Sequence, residues 1–337
     1  MNDRISFFLL LFLGLIGWNS LARAISEVDY PVHWKQEVMP YYSSGISGQF
    51  IGKAGVNIAY RKFLVPSERG RLVISPGSSE PIRKYAEVIY DLKDLGFSVF
   101  ILEHRGQGES GRMLADSEIH FVESFDDYVE DFSTFIDTIV RSESNSKLFL
   151  LAHSMGAAIA SLYSIQNPTT FEATVLSSPM FEVNTSPYPE GVAYLLVSLG
   201  CKLGYGQSYA PGSGPYVLGN AMPLGSVTMS VVRHQMTENI FINHPETRLG
   251  GVSYQWVLAS FGALATIAKS SSFFVNPVLL LQAGDDTLVR SGAQDQFCKN
   301  VKRCEKIVFP QARHEILMER DFIRNAALGE IKGFFKR

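Results

Sequence analysis

Two patterns of apolar and polar positions alternate along the chain. Short runs are apolar almost throughout, as strands buried on both faces require. Longer stretches return an apolar residue every three or four positions, as helices with one face on a core do. Strands are predicted over 57–64 and 71–75, the first followed by a turn at Gly70 and the second ending at Pro76-Gly77. A helix is predicted over 84–95 from Tyr85, Val88, Ile89, Leu92 and Leu95, with Gly96 stopping it. An apolar strand follows over 97–102, then an amphipathic helix over 124–140. A strand over 148–152 leads into a helix of small residues over 155–166. Strands over 174–177, 278–283 and 306–309 and a helix over 322–335 close the series, and the residues before 57 read as a polar opening segment.

Strands alternating with helices predict an α/β fold, a mostly parallel sheet with helices on both faces. One stretch breaks the rhythm. Residues 180–274 separate two core strands, too long a span for a plain loop in a compact domain. This stretch reads as an inserted cap over the carboxyl ends of the strands, where open α/β sheets bind ligands. The core is then two pieces, 25–179 and 275–337.

The first 24 residues read as a signal peptide. Ile5 to Trp18 is an unbroken apolar run, shorter than the roughly 20 residues of a spanning helix. Ala22-Arg23-Ala24 supplies a small-x-small cleavage site, so removal is expected after Ala24. The mature chain would be exported, periplasmic or secreted if the source is bacterial. The alternative is an uncleaved leader that tethers the protein to a membrane.

Composition removes several classes of function. The chain is 46% hydrophobic, enough for a large core, and its formal net charge of -3 offers no basic excess for nucleic acid. The three cysteines, Cys201, Cys298 and Cys304, are too few and scattered for a zinc site or a disulfide scaffold. Cys298 and Cys304 lie six apart, and six helical positions point side chains to different faces. Two unpaired residues are therefore expected, with a bridge in an oxidising compartment as the alternative.

Candidate chemistry centres on Ala152-His153-Ser154-Met155-Gly156, between a predicted strand and a helix of small residues. A serine at such a strand–turn–helix apex is held as a nucleophile. A serine hydroxyl needs a general base, and the base needs a carboxylate to fix its tautomer. His314 follows the last strand and is the expected base. The acid is Asp285 or Asp286, just after the strand 278–283, and the pattern G-x-D-x-x-V places it at Asp286. Backbone N–H groups of Met155 and Ser78 are the expected oxyanion donors.

Together these residues resemble the α/β-hydrolase superfamily. His104-Arg105-Gly106-Gln107-Gly108-Glu109-Ser110 matches the R-G-x-G-x-S loop of monoacylglycerol lipases, lysophospholipases and their relatives. The segments PGSSEPIRKYAE, HRGQGESGRMLAD, FDDYVED, LAHSMGAAIA, SSPMF, GGVSYQWV, LLLQAGDD and HEILMERD are similar to bacterial lysophospholipases related to the monoacylglycerol lipases. The likeness runs from about Val32 to the C-terminus and includes the insertion. Departures are Ala152 and Ala157, where glycines are usual, and Ser78-Ser79 in the oxyanion loop.

The resemblance implies an α/β-hydrolase fold and serine-based ester hydrolysis without metal or organic cofactor. It also implies a lipid-like substrate with one acyl chain, a lysophospholipid or a monoacylglycerol; a general carboxylesterase or a serine peptidase on the same scaffold are the alternatives. With no second long apolar run and no basic patch, contact with a membrane surface is expected to be transient. Arg233 and Arg248 are candidates to meet a phosphate, and Tyr254 and Trp256 to face a choline. Arg105 is expected to tie its loop under the site. His120 and His153 receive no role, and the sequence leaves the oligomeric state open.

Overall fold

The computed structural model describes residues 24–142, 144–218 and 223–337. The leader expected over 1–24 therefore lies, apart from Ala24, outside the described residues.

Among the described residues eight strands form one sheet: β1 (Ile46–Ile51), β2 (Asn57–Phe63), β3 (Arg71–Ser75), β4 (Ser98–Leu102), β5 (Leu148–His153), β6 (Ala173–Ser177), β7 (Val278–Ala283) and β8 (Cys304–Phe309). Their order is β1-β2-β4-β3-β5-β6-β7-β8. The first two joins, β1 to β2 and β2 to β4, are antiparallel, and the remaining joins are parallel. β3 to β7 are buried at every position or nearly so, which explains their continuous apolar runs. β1 lies within the opening segment read as polar. Its residues, ISGQFI, are mostly exposed on a sheet edge, so no buried face writes an alternation into the sequence.

The first helix, α1, runs through Tyr30–His33 and Met39–Ser43, joined by one wider π turn at Trp34–Val38. The others are α2 (Ala86–Leu92), α3 (Phe125–Phe135), α4 (Ser154–Gln166), α5 (Glu190–Lys202), α6 (Val231–Asn243), α7 (Tyr254–Ser270), α8 (Ser291–Asn300) and α9 (Asp321–Phe335). Two apolar layers sandwich the sheet. Phe132, Ile159, Ile267 and Phe297, from α3, α4, α7 and α8, pack on one face. Val38, Ile89 and Ile331, from α1, α2 and α9, pack on the other. The stretch between β6 and β7 carries α5, α6 and α7. It is tied to the core by short bridges, Val183 to Val289 and His120 to Val252.

The chain is fixed from its first described residues. Ile25 is buried, its N–H donates to Asp91 Oδ1 at 3.1 Å, and its carbonyl accepts from Arg233 Nη2 at 3.1 Å. Among the described residues no helix is long and apolar enough to cross a membrane.

Cys298 and Cys304 are joined as a disulfide, with Cα atoms 5.3 Å apart, which corrects the expectation of two unpaired residues. Helical spacing does not govern this pair: Cys298 is on α8, but the chain turns after Asn300 and Cys304 already opens β8. Arg105 ties its loop to α3, donating to both oxygens of Asp131 at 2.7 and 2.8 Å and to the Lys53 carbonyl.

Candidate active site

β5 ends at His153, and α4 begins at once with Ser154. Ser154 takes a φ of 50°, a left-handed conformation that a non-glycine residue holds only under constraint. That turn lifts the side chain to the sheet's carboxyl edge. Close packing behind it requires Gly156, where a Cβ would lie 2.2 Å from the Pro76 carbonyl oxygen.

β7 ends at Ala283 and runs into Gly284-Asp285-Asp286. Asp285 is exposed, whereas the Asp286 side chain is buried and faces His314. Asp286 Oδ1 accepts the Leu288 and Val289 N–H groups at 2.9 and 3.1 Å, and Oδ2 lies 2.7 Å from His314 Nδ1. Burial pushes this carboxyl up, but its bonds to the imidazole and the two N–H groups outweigh burial and hold it below its usual range. An ionised carboxylate can only accept, so Nδ1 carries the imidazole hydrogen. Nε2 is then an acceptor, and it lies 2.8 Å from Ser154 Oγ. The chain Asp286–His314–Ser154 can therefore draw a proton from the serine hydroxyl.

An oxyanion site needs unoccupied donors beside that hydroxyl. In the loop after β3, the Gly77 N–H donates to Glu80 Oε2 and the Ser79 N–H to Gln107 Oε1. The Ser78 N–H between them has no partner among the described residues. Met155 stands in the first turn of α4, where a backbone N–H has no partner within the helix. The sequence-predicted pair, Ser78 and Met155, thus offers the free donors.

Above this group lies a cavity of about 660 Å³, lined by both core pieces and the insertion. Its lining mixes apolar side chains, among them Met180, Val217, Phe241, Trp256, Val257 and Phe261, with polar ones, among them Glu80, Lys84, His153, Thr237, Glu238 and Glu315. Among the described residues no cluster of His, Cys, Asp and Glu could hold a metal ion.

Residues 66–321 match the family described as Hydrolase_4, serine aminopeptidase S33. The chain belongs to this family. It is an α/β-hydrolase related to monoacylglycerol lipases. Lysophospholipase L2 of Escherichia coli K12 is 34% identical over 299 residues, covering 86% of this hydrolase and 87% of the relative. Monoglyceride lipase of Mus musculus is 27% identical over 266 residues, covering 78% and 81%. In fold, the hydrolase resembles the crystal structure of a soluble variant of monoglyceride lipase from Saccharomyces cerevisiae in complex with a substrate analog. That match has a TM-score of 0.70 at 18% identity and covers 87% of this chain and 94% of that one.

The four candidate substrate contacts fare differently. Arg233 is a correction: it does not line the cavity, and its guanidinium is spent in the core on Glu87, Asp321 and the carbonyls of Ile25 and Glu319. Arg248 is likewise outside the cavity, bonded to the Phe241 carbonyl and laid over the Tyr216 ring. Tyr254, the first residue of α7, packs its ring against Gly200 of α5, near Tyr205. Trp256 alone lines the cavity, buried against His120 and Phe125.

A buried brace that the sequence does not reveal supports the site of the hydrolase. Lys84 Nζ bonds Glu80 Oε1 at 2.7 Å and Glu315 Oε1 at 2.6 Å, joining the oxyanion loop to the residue after His314. Burial lowers the ammonium's pKa, but the two carboxylates outweigh it and raise the group above its usual range. His153 completes the brace. Its Nδ1–H donates to the Ser177 carbonyl at 3.0 Å, and burial lowers its pKa, so the ring stays neutral. The signal was present only as Glu80 and Lys84 four apart, a spacing also common on exposed helix faces.

Proposed function

We propose that the hydrolase is a serine carboxylester hydrolase that releases a fatty acid from a single-acyl amphiphile, with a lysophospholipid as substrate. One observation carries the reading: the Asp286–His314–Ser154 chain opens into a cavity lined by both apolar and polar side chains. In this reading Ser154 Oγ bonds the acyl carbon while its proton moves to His314 Nε2. Asp286 holds the imidazolium. The carbonyl oxygen takes up the electron pair and is held by the Ser78 and Met155 N–H groups. The alcohol leaves with the proton from His314. Water, deprotonated by the same imidazole, then frees the fatty acid.

Similarity to lysophospholipase L2 supports the lysophospholipid. A second reading, a monoacylglycerol, is favoured by the cavity lining: its Lys84 already spans two carboxylates, leaving little positive charge for a phosphate. Turnover of a lysophospholipid, a monoacylglycerol and an aminoacyl anilide separates these from a peptidase. Ser154→Ala should lower kcat on the ester by roughly 10⁴–10⁶-fold and abolish labelling by a fluorophosphonate. Labelling and turnover retained in that variant would overturn the reading.

The proposed setting is outside the cytoplasm, with the leader removed after Ala24. The apolar run and small-x-small site support this, as does the Cys298–Cys304 bridge, since such bonds persist in oxidising compartments. N-terminal sequencing of the exported protein should begin at Ile25. A start at Met1 in the membrane fraction would make it a tethered enzyme. Transient contact with a lipid surface is supported by α5, which turns Val192, Leu195, Leu196 and Leu199 outward, with Leu203 just beyond.

A further inference from the structure

His120 carries no assigned role, yet it touches the oxyanion loop. Its Nδ1 lies 2.9 Å from Ser78 Oγ and its Nε2 3.1 Å from Tyr128 Oη. His120 and Tyr128 are fully buried, whereas Ser78 is half-buried and lines the same cavity as Ser154 and His314. Burial, with help from the Arg112 charge, lowers the His120 pKa to about 3, so the ring is neutral and carries one N–H.

Satisfying the buried groups decides which nitrogen that is. Among the described residues, His120 Nε2 is the acceptor within reach of the Tyr128 hydroxyl. A proton on Nε2 would strand the Tyr128 hydrogen in a dry core, a costly arrangement. Tyr128 therefore donates to Nε2, and Nδ1–H donates to Ser78 Oγ. That bond occupies a lone pair of the Ser78 oxygen and leaves its hydrogen for the cavity.

We propose that the Ser78 hydroxyl is a third hydrogen-bond donor to the oxyanion, beside the Ser78 and Met155 N–H groups, and that His120 and Tyr128 are the residues that position it. The inference rests on acyl transfer to Ser154. As Ser154 Oγ bonds the acyl carbon, the carbonyl electron pair moves onto oxygen, the serine proton passes to His314, and Ser78 keeps its own proton while donating to the new oxyanion. The insertion has a hold on the same device. The His120 N–H donates to the Gly251 carbonyl, the Ser253 N–H donates to the His120 carbonyl, and the Trp256 ring lies 5.0 Å from the imidazole. The segment that covers the cavity is thereby hydrogen-bonded to the residue that aims Ser78.

The test is a mutant cycle on the full-length mature enzyme with a soluble short-chain ester. Ser78→Ala keeps the backbone donor and removes the hydroxyl, so kcat should fall by about 10²-fold with KM nearly unchanged. Ser78→Thr, which restores a hydroxyl, should recover most of that loss. Tyr128→Phe, which keeps the ring and frees Nε2 to carry the proton, should lower kcat several-fold in the wild-type background and by less than twofold in Ser78→Ala. His120→Ala should be non-additive with Ser78→Ala in the same way. A Ser78→Ala enzyme within twofold of wild type in kcat, while Ser154 still labels with a fluorophosphonate, would overturn the third donor and leave the serine mechanism standing. Absence of Ser154 labelling in the wild type would overturn both. A full Tyr128→Phe loss persisting in Ser78→Ala would remove the positioning role.

Discussion

Ser154, Asp286 and Gly156 each stand at a position with little latitude. The left-handed φ of Ser154 and the contact of Gly156 with the Pro76 and Ser75 carbonyl oxygens leave room for one backbone path. Asp286 and Asp285 are neighbours, but only Asp286 faces the imidazole; Asp285 is exposed. Asp286→Asn should lower kcat by on the order of 10⁴-fold and Asp285→Asn by less than about threefold, as ester turnover would measure. Equal small losses would move the acid elsewhere. Glu103 supplies a different expectation. Buried, with the Ile82 N–H on one oxygen and the Glu109 N–H on the other, its carboxyl is pushed up to about 7 by burial. A folded-state value above the unfolded one means the native state holds the extra proton, so this residue's contribution to stability falls as pH rises from about 4.5 to 7. Tm of the wild type minus Tm of Glu103→Gln should fall across that range; a flat difference would contradict it. Ser154 and Asp286 were legible because local motifs mark them, S-x-G in an elbow and G-x-D-x-x-V after a strand, and His314 because it follows the last strand. The Lys84–Glu315 bond was not, since its partners are 231 residues apart and neither has a local signature.

At the scale of elements, legibility followed burial. β3, β4, β5 and β7 announced themselves through unbroken apolar runs, and each boundary moved by a residue at most. β1 was silent because half-exposed edge residues need no pattern. The predicted helix over 84–95 has α-helical geometry only at Ala86–Leu92, with tighter 3₁₀ turns at Ile82–Tyr85 and Lys93–Leu95. α5 shows the reverse of an ordinary surface helix: Leu195 is 65% exposed and Leu199 51%, while Val197 and Gly200 face inward. If this face meets lipid, replacing Leu195 and Leu199 together by Glu should lower activity on substrate held in phospholipid vesicles. The two side chains bury apolar area worth about 1–2 kcal/mol each, so the drop should be tenfold or more. Activity on a short, freely soluble ester should stay within about twofold. Equal losses on both substrates would assign α5 to the fold or the cavity instead.

The molecule is built on a mostly parallel sheet whose carboxyl edge gathers four loops from both core pieces, with the insertion above. That much followed from the alternation of strands and helices. The brace under the site and the binding of the first described residues did not, because both join segments remote in sequence. Ile25 illustrates what such joins can do. Around it three carboxylates, Glu87, Asp91 and Asp321, share two guanidiniums, Arg233 and Arg324, so the cluster is one positive charge short. Burial, together with the charge on Glu87, raises the Asp91 pKa despite Arg324. Removal of the leader after Ala24 would turn the Ile25 amide, 3.1 Å from Asp91, into an α-ammonium and supply the missing charge. Peptide cleavage would then act as the last ion added to the core, and the processed chain would be the better-folded one. A chain made to begin at Ile25 should melt a few °C above one carrying two extra residues, a gain of about 2 kcal/mol. A cation gaining a partner has its pKa raised, so the advantage should be full below about pH 8, the ordinary range of an α-amine, and fade as pH rises through the folded-state value. It should also disappear in Asp91→Asn; an advantage that survives that substitution would mean the extra residues merely crowd the surface.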